Sequence, residues 1–139
     1  MIRVLVFGTF DALHPGHIHF LRQARKHGSW LVASVARDQF VRNHKQREPF
    51  EHEAQRLLSL LDSGLVDEAY FSDEEVGSFE IVRSSRPDVI CVGHDQGSLK
   101  KHLEEWLQKH RLDIPVKPMV SHHPERYKTS KIIPTRRTR

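Results

Sequence analysis

Two histidines, His14 and His17, stand three residues apart in a segment that also contains Gly8 and Thr9. Pro15 and Gly16 lie between them and commonly begin a helix, one turn of which would bring both imidazole rings to the same side. Backbone N–H groups at a helix N-terminus attract anions, and imidazoles beside them can donate hydrogen bonds as charge develops at a phosphorus atom. This segment therefore predicts chemistry on a phosphate group.

A metal site is the main alternative for these histidines. Two histidines at this spacing without an obvious third ligand make a poor zinc site, so no metal ligands are predicted. His122 and His123 are adjacent and cannot easily face one ion together, so we expect solvated side chains there. The chain contains neither the dinucleotide fingerprint G-x-G-x-x-G nor the P-loop pattern, which argues against dehydrogenases and P-loop enzymes.

An apolar run directly before the histidine segment predicts a buried strand. Pro115 and Pro118 interrupt the last apolar run of the chain, which favours an edge position for that strand. Apolar strands that alternate with amphipathic helices imply an α/β fold: a three-layer, Rossmann-like, five-stranded parallel sheet with helices on both faces. The strands are predicted at residues 2–7, 30–36, 66–71, 88–92 and 114–120.

Amphipathic segments between these runs predict the helices. The segment from Glu51 to Leu61 is expected to bury the face that carries Ala54, Leu57, Leu58 and Leu61. The polar segment around Lys45 is predicted as a loop. Helices are predicted at residues 16–27, 51–61, 79–85 and 99–110, with a short one at 129–133.

Polar residues follow four of the predicted strands. In an open parallel sheet, ligands bind in the crevice beyond the carboxyl ends of the strands. Glycine, histidine, hydroxyl and basic side chains are therefore expected to converge on one rim of the sheet. The segments that supply them are residues 8–17, 37–38, 93–96 and 122–131.

The 139 residues fit one domain, predicted at residues 1–133 and followed by a basic tail at 134–139. The formal net charge is +4, and part of that excess lies in the tail. A positive balance suits either a phosphate site or nucleic acid. A solvated tail is the preferred interpretation, with no nucleic acid partner.

A cytoplasmic location is expected, without a membrane partner. Cys91 is the only cysteine and lies in an apolar run, which excludes a disulfide framework. No apolar stretch approaches the roughly eighteen residues needed to span a bilayer. The N-terminus runs straight into a polar motif and lacks the features of a signal peptide.

Two motifs together resemble those of a known enzyme family. Gly8-Thr9-Phe10-Asp11 followed by His14-Pro15-Gly16-His17 is similar to the signature of the cytidylyltransferase-like nucleotidyltransferases, the HxGH superfamily. Lys128-Thr129-Ser130-Lys131-Ile132 is similar to its second motif. The resemblance extends over residues 2–133. It implies in-line attack of an acceptor phosphate on the α-phosphorus of a nucleoside triphosphate, with release of pyrophosphate and no covalent enzyme intermediate.

The resemblance also implies roles for individual residues. His14 and His17 would stabilise the transition state, and Lys45 would contact the transferring phosphate. Arg56 matches a base-contacting arginine of the family, but Gln55 replaces the usual acidic neighbour, and an exposed position on its helix is the alternative. A Mg²⁺ ion would be held mainly through the substrate phosphates. The nucleotide-binding residues implied are Gly8, Thr9, Phe10, Gly16, Arg56, Gly93, Asp95, Gln96, Lys128, Thr129 and Ser130.

The segment Gly93-His94-Asp95-Gln96 favours one branch of the superfamily. It resembles the archaeal-type FAD synthases and their bacterial relatives, whereas cytidylyltransferases acting on glycerol 3-phosphate or phosphocholine usually carry an acidic-aromatic sequence such as G-D-D-W there. The resemblance implies ATP and FMN as substrates. CTP with glycerol 3-phosphate or a similar alcohol phosphate is the alternative.

Two hypotheses from other classes stay open. The chain could be a catalytically silent nucleotide sensor on the same fold, against which the intact histidine pair argues. It could also be a nucleic-acid-binding module that uses the basic tail, in which case its oligonucleotide affinity would depend steeply on salt. A homodimer is one option that the resemblance implies, and no stretch of the sequence identifies an interface.

Overall fold

The computed structural model describes residues 1–120, in which strands and helices alternate along the chain. In chain order they are β1 (Arg3–Gly8), α1 (Pro15–Arg25), β2 (Trp30–Val35), α2 (Asp38–Lys45), α3 (Glu53–Asp62), β3 (Glu68–Phe71), α4 (Glu80–Ser85), β4 (Val89–Val92), α5 (Gly97–Lys109) and β5 (Val116–Pro118). The predicted terminal helix at 129–133, the residues Lys128, Thr129 and Ser130, and the basic tail lie outside the described residues.

The first strand of the chain is the central strand of the sheet. All five strands are parallel and lie in the order β3-β2-β1-β4-β5. Val4 on β1 is in register with Leu31 on β2 and with Val89 on β4. β5 is short and lies at the edge, as its prolines predict. The predicted five-stranded α/β fold is confirmed.

Two apolar clusters cover the two faces of the sheet and form the outer layers. On one face, Leu21 of α1 and Leu60 of α3 pack against the strands. On the other face, Val82 of α4 and Leu103 of α5 do the same. Strands buried on both sides must be apolar throughout, which is why these strands show continuous apolar runs instead of alternation. None of the helices in residues 1–120 is long and apolar enough to cross a membrane.

The loop prediction around Lys45 was wrong, because residues 38–45 form helix α2. Val41 is the one fully buried apolar side chain on this helix. One buried apolar residue cannot produce the 3.6-residue spacing of apolar residues that identifies a helix, so the sequence of this segment shows no helical pattern. Asp38 lies in the first turn and Lys45 in the last, which suits the helix dipole.

The predicted buried face of α3 was also largely wrong, because only Leu57 of its four residues packs against the core. Leu58 is 54% exposed and Leu61 is 38% exposed, while Arg56 and Leu60 are fully buried. The helix is rotated in this way because the Arg56 guanidinium finds hydrogen-bond acceptors beneath the ends of β1 and β2. A charged side chain can be buried when it is paired and hydrogen-bonded, and here that requirement overrides the apolar pattern.

Candidate active site

The loop that follows β1 begins with a close approach of two residues. The ring of Phe10 lies directly over Gly8, where an added Cβ would come within 2.7 Å of the ring. Phe10 has a left-handed backbone, with φ of 54°, and its side chain is 2% exposed. Phe10 can therefore face a ligand only through its backbone. Gly8 is required here because Phe10 fills the space beside it.

His14 and His17 hold each other at the start of α1. His14 Nδ1 accepts a hydrogen bond from the Gly16 N–H at 3.1 Å, and His17 Nδ1 accepts one from the His14 N–H at 3.4 Å. The two bonds form a reciprocal cap of the helix, with histidines in place of the usual hydroxyl and carboxylate. The rings are stacked with centroids 3.7 Å apart. The predicted placement of both imidazoles on one side is confirmed.

These caps determine which nitrogen carries the proton. A neutral imidazole has one N–H and one acceptor nitrogen. Because Nδ1 accepts a backbone hydrogen bond in both His14 and His17, the proton of each neutral ring lies on Nε2. Both rings are therefore hydrogen-bond donors through Nε2 without needing a positive charge.

His17 is held in its neutral form. Burial lowers the pKa of the His17 imidazole to about 4, and repulsion from His14, when that ring is protonated, and from the Lys45 ammonium acts in the same direction. The negative charges of Asp11 and Asp95 raise the pKa of His17, but their effect is smaller than the effect of burial. The edge of the ring also packs against Phe10, with centroids 5.7 Å apart. His17 is thus suited to donate a hydrogen bond at neutral pH, and is a poor proton source.

Lys45 reaches the same loop from the end of α2. Its Nζ donates a hydrogen bond to Thr9 Oγ1 at 3.2 Å, and the side chain is otherwise exposed. An ammonium group beside a hydroxyl and a helix N-terminus is a suitable arrangement for phosphate oxygens. The structure therefore brings Lys45, Thr9 and the histidine pair together, although the sequence placed Lys45 in a loop.

Arg56 supports this loop from below. Its Nη1 donates to the carbonyl oxygens of Thr9 and Ala36, both at 2.8 Å, and its Nε donates to the Glu51 carbonyl at 2.9 Å. Nη2 lies 2.7 Å from a carboxylate oxygen of Asp38. Burial raises the pKa of Asp38, and the hydrogen bonds from Arg56 and the Glu53 N–H more than offset it, leaving that pKa below its usual value.

The alternative that Arg56 lies on the exposed face of its helix was wrong, because none of its surface is accessible to solvent. Base contact by this side chain stays untested. The Arg56 guanidinium contacts the carbonyl of Thr9 from inside the protein and is not exposed at the surface of the candidate site.

Asp11 was not among the predicted site residues, although it connects two segments beside the candidate site. Its carboxylate accepts hydrogen bonds from the N–H groups of Phe50 and Glu51, at 2.7 and 2.8 Å, and from Arg47 at 3.3 Å. Burial raises the pKa of Asp11, and these hydrogen bonds outweigh it, so the pKa lies below its ordinary value. Asp11 thereby ties residues 47–51 to the loop that carries His14. Its place in the Gly8-Thr9-Phe10-Asp11 motif was the available signal.

The turn after β4 forms the other side of the site. Gln96 Oε1 accepts from the Gly93 N–H at 2.7 Å, and Gln96 Nε2 donates to the Phe7 carbonyl at 3.1 Å. Gln96 thus braces this turn against the end of β1. Asp95 is exposed, and a Cβ on Gly93 would approach its carboxylate at 3.0 Å. In residues 1–120, no group of three or more histidine, cysteine or acidic side chains is arranged to hold a metal ion.

A family model described as cytidylyltransferase-like matches residues 5–135. The chain belongs to the cytidylyltransferase-like family. The histidine pair, the lysine at the end of α2 and the turn after β4 are thus the candidate site residues of a cytidylyltransferase-like protein.

Curated and solved relatives agree with this membership. The chain is 42% identical to the FAD synthase of Thermococcus onnurineus over 133 residues, which is 95% of this chain and 89% of that protein. It is 44% identical to the FAD synthase of Thermococcus kodakarensis over the same shares of both chains. A crystal structure described as the lipopolysaccharide core biosynthesis protein of Thermoplasma volcanium has a TM-score of 0.81 at 34% identity, covering 88% of this chain and 98% of that one.

The fold is shared more widely than the activity. A pantoate-β-alanine ligase from Francisella tularensis superposes with a TM-score of 0.64 at 12% identity, over 88% of this chain and 60% of that one. Such a likeness shows the fold alone. In the cytidylyltransferase-like family, what a member does must be argued from its site.

Proposed function

We propose that this chain transfers the adenylyl group of ATP to the phosphate of FMN, forming FAD and releasing pyrophosphate. One observation carries the chemistry: both Nδ1 atoms of the His14–His17 pair accept backbone hydrogen bonds, so both Nε2 atoms are donors. The acceptor is proposed from the FAD synthases of Thermococcus, which are 42% and 44% identical over nearly the whole chain.

The chemistry is a single displacement at phosphorus. An oxygen of the FMN phosphate forms a bond to the α-phosphorus as the bond from that phosphorus to the pyrophosphate oxygen breaks. No proton has to be transferred to or from His17, which is consistent with a pKa of about 4 for its imidazole. The side chains His14, His17 and Lys45 act by positioning the phosphate and stabilising the charge on its oxygens.

The remaining predicted residues are proposed to bind the nucleotide around this centre. Thr9 and the backbone of Gly8, Phe10 and Gly16 are proposed to contact the nucleotide phosphates. Gly93 and Asp95, beyond β4, are proposed to contact the nucleoside, with Gln96 holding their turn. Lys128, Thr129 and Ser130 are proposed to bind the β- and γ-phosphates.

A Mg²⁺ ion is proposed to enter with the triphosphate. The side chains around the histidine pair are a lysine and a threonine, the Asp11 carboxylate is taken up by Phe50, Glu51 and Arg47, and Asp95 adds a single exposed carboxylate. This donor set suits phosphate oxygens better than a hard cation, so the ion would be coordinated mainly by the substrate. A homodimer and a cytoplasmic location stay predictions.

The test is a matrix of two nucleotides and several acceptors. Purified protein with Mg²⁺ and either ATP or CTP would be given FMN, glycerol 3-phosphate or phosphocholine, with pyrophosphate release and product chromatography as readouts. We expect FAD from ATP and FMN alone. His17→Ala should lower kcat by about a hundredfold or more. His102→Ala, an exposed histidine on α5, is the matched control and should leave turnover unchanged.

Turnover with CTP and an alcohol phosphate, and none with ATP and FMN, would make the chain a cytidylyltransferase. Nucleotide binding without turnover on any acceptor would support a silent sensor. Salt-sensitive oligonucleotide binding without turnover would support the nucleic-acid module.

A further inference from the structure

Phe50 is unusually exposed for an aromatic residue. It leaves 87% of its surface open to solvent, the largest fraction among the large apolar side chains of residues 1–120. Single exposed apolar residues are common on protein surfaces and need no explanation by themselves. The position of Phe50 and the way it is held set it apart.

The backbone that carries Phe50 is fixed to the catalytic loop. The Phe50 N–H donates to Asp11 at 2.7 Å, and the next N–H, of Glu51, donates to the other oxygen of the same carboxylate at 2.8 Å. Glu51 in turn accepts from the Ala12 N–H at 3.1 Å. Three hydrogen bonds to Asp11 and Ala12 therefore fix the backbone that carries this exposed ring to the loop of His14.

Phe50 lies on one particular side of that site. In the sheet, β2 and β4 flank β1. The segment that follows β2, which includes α2 and Phe50, therefore lies on one side of the loop after β1, and the turn after β4 lies on the other side. In-line displacement requires the acceptor and the leaving pyrophosphate to lie on opposite sides of the α-phosphorus. Lys45, whose Nζ donates to the Thr9 hydroxyl, supplies positive charge on the Phe50 side, where we expect the acceptor phosphate to approach.

We propose that Phe50 is a specificity-determining residue that binds the isoalloxazine ring of FMN by stacking. This inference rests on the proposed function, since it assigns the acceptor's ring within the same site. A flat aromatic ring gains contact area and stacking energy from a flat tricyclic ring. Glycerol 3-phosphate and phosphocholine have no ring that could use this surface, so Phe50 favours a flavin over them.

Steady-state kinetics with separate variation of FMN and ATP test the proposal. Phe50→Ala should raise the KM for FMN about tenfold, equivalent to about 1.4 kcal/mol. The KM for ATP should stay unchanged. Phe50→Trp should preserve the KM for FMN and quench flavin fluorescence when FMN binds, because the indole would stack on the ring. Leu58→Ala, which removes an apolar side chain exposed on α3, is the matched control and should change neither constant.

The possible failures are distinguishable. If the wild-type protein makes FAD and Phe50→Ala leaves the KM for FMN unchanged, this inference is overturned and the proposed function stands. Normal activity of Phe50→Trp without quenching would also overturn it. If light scattering shows that Phe50→Ala changes the oligomeric state, the ring packs on a second copy and not on the flavin. A wild-type protein that neither binds nor adenylylates FMN removes both proposals.

Discussion

Arg56 and Asp38 form an ion pair of 2.7 Å in which the guanidinium is completely buried. The same guanidinium holds the carbonyl oxygens of Thr9 and Ala36, at the carboxyl ends of β1 and β2. This pair therefore connects α3 and α2 to the two strands whose loops make one side of the site.

Removal of Arg56 should destabilise the protein strongly. Arg56→Met keeps the bulk of the side chain and leaves Asp38 without its cation, so the free energy of unfolding should fall by about 3–5 kcal/mol. Urea unfolding would measure it. Lys100→Ala, which breaks the exposed ion pair with Glu104 on α5, should cost less than about 1 kcal/mol. Equal losses in the free energy of unfolding for the two variants would show that the buried pair stabilises the fold no more than the exposed pair does.

His17 should titrate far below an ordinary histidine. Its imidazole pKa of about 4 lies below the unfolded value of 6.5, so the unfolded chain takes up this proton first as the pH falls. The stability contributed by His17 is therefore complete above pH 6.5 and is lost as the pH falls toward 4. NMR titration of the imidazole would give the midpoint directly. A midpoint near 6.5 would show that burial does not lower this pKa, and His17→Gln should flatten this part of the stability profile.

Gly8→Ala should damage both the fold and the site. The new Cβ would lie 2.7 Å from the Phe10 ring, which is buried against His17 and can move only by disturbing it. We expect a loss of about 1–3 kcal/mol in the free energy of unfolding and a lower kcat. Gly97→Ala is the matched control, because a Cβ there would meet nothing within 4 Å. A Gly8→Ala protein as stable and active as Gly97→Ala would show that Phe10 moves freely.

Asp11→Ala should release residues 47–51 from the β1 loop. Hydrogen exchange at the Phe50 and Glu51 amides, measured by mass spectrometry, should become faster because both N–H groups lose the carboxylate acceptor. The KM for FMN should rise as well, if Phe50 is positioned through this loop. Asp67→Ala, which removes an acceptor of the Leu31 N–H away from the site, should leave exchange at residues 50 and 51 unchanged.

The sequence predicted the strands and the histidine pair because each depends on a local pattern. Apolar runs identify strands buried on both faces, and the spacing of His14 and His17 defines one turn of a helix. Helix α2 was missed because Val41 alone anchors it. The rotation of α3 was missed because it depends on Arg56 meeting Thr9 and Asp38, residues distant in sequence.

The position of Lys45 and the partners of Asp11 could not be predicted from the sequence, because both depend on contacts between distant residues. Lys45 was predicted on the wrong element, because the resemblance names the residue while its position depends on helix α2, which has no helical pattern in the sequence. Asp11 was visible in its motif, yet its partners are backbone groups of residues 50 and 51, which side-chain patterns do not reveal. Long-range hydrogen bonds to the backbone are the part of this site that a single sequence hides.

The central position of β1 has a consequence for how the protein acquires its site during synthesis. Val4 can pair with Leu31 early, but its other neighbour in the sheet is Val89, far along the chain. Such distant parallel pairings form slowly, because the long intervening loop must close first. The histidine segment, although made before β4, should therefore reach its final geometry only after β4 has paired with β1. Nascent chains that end before β4 should be incompetent for nucleotide binding.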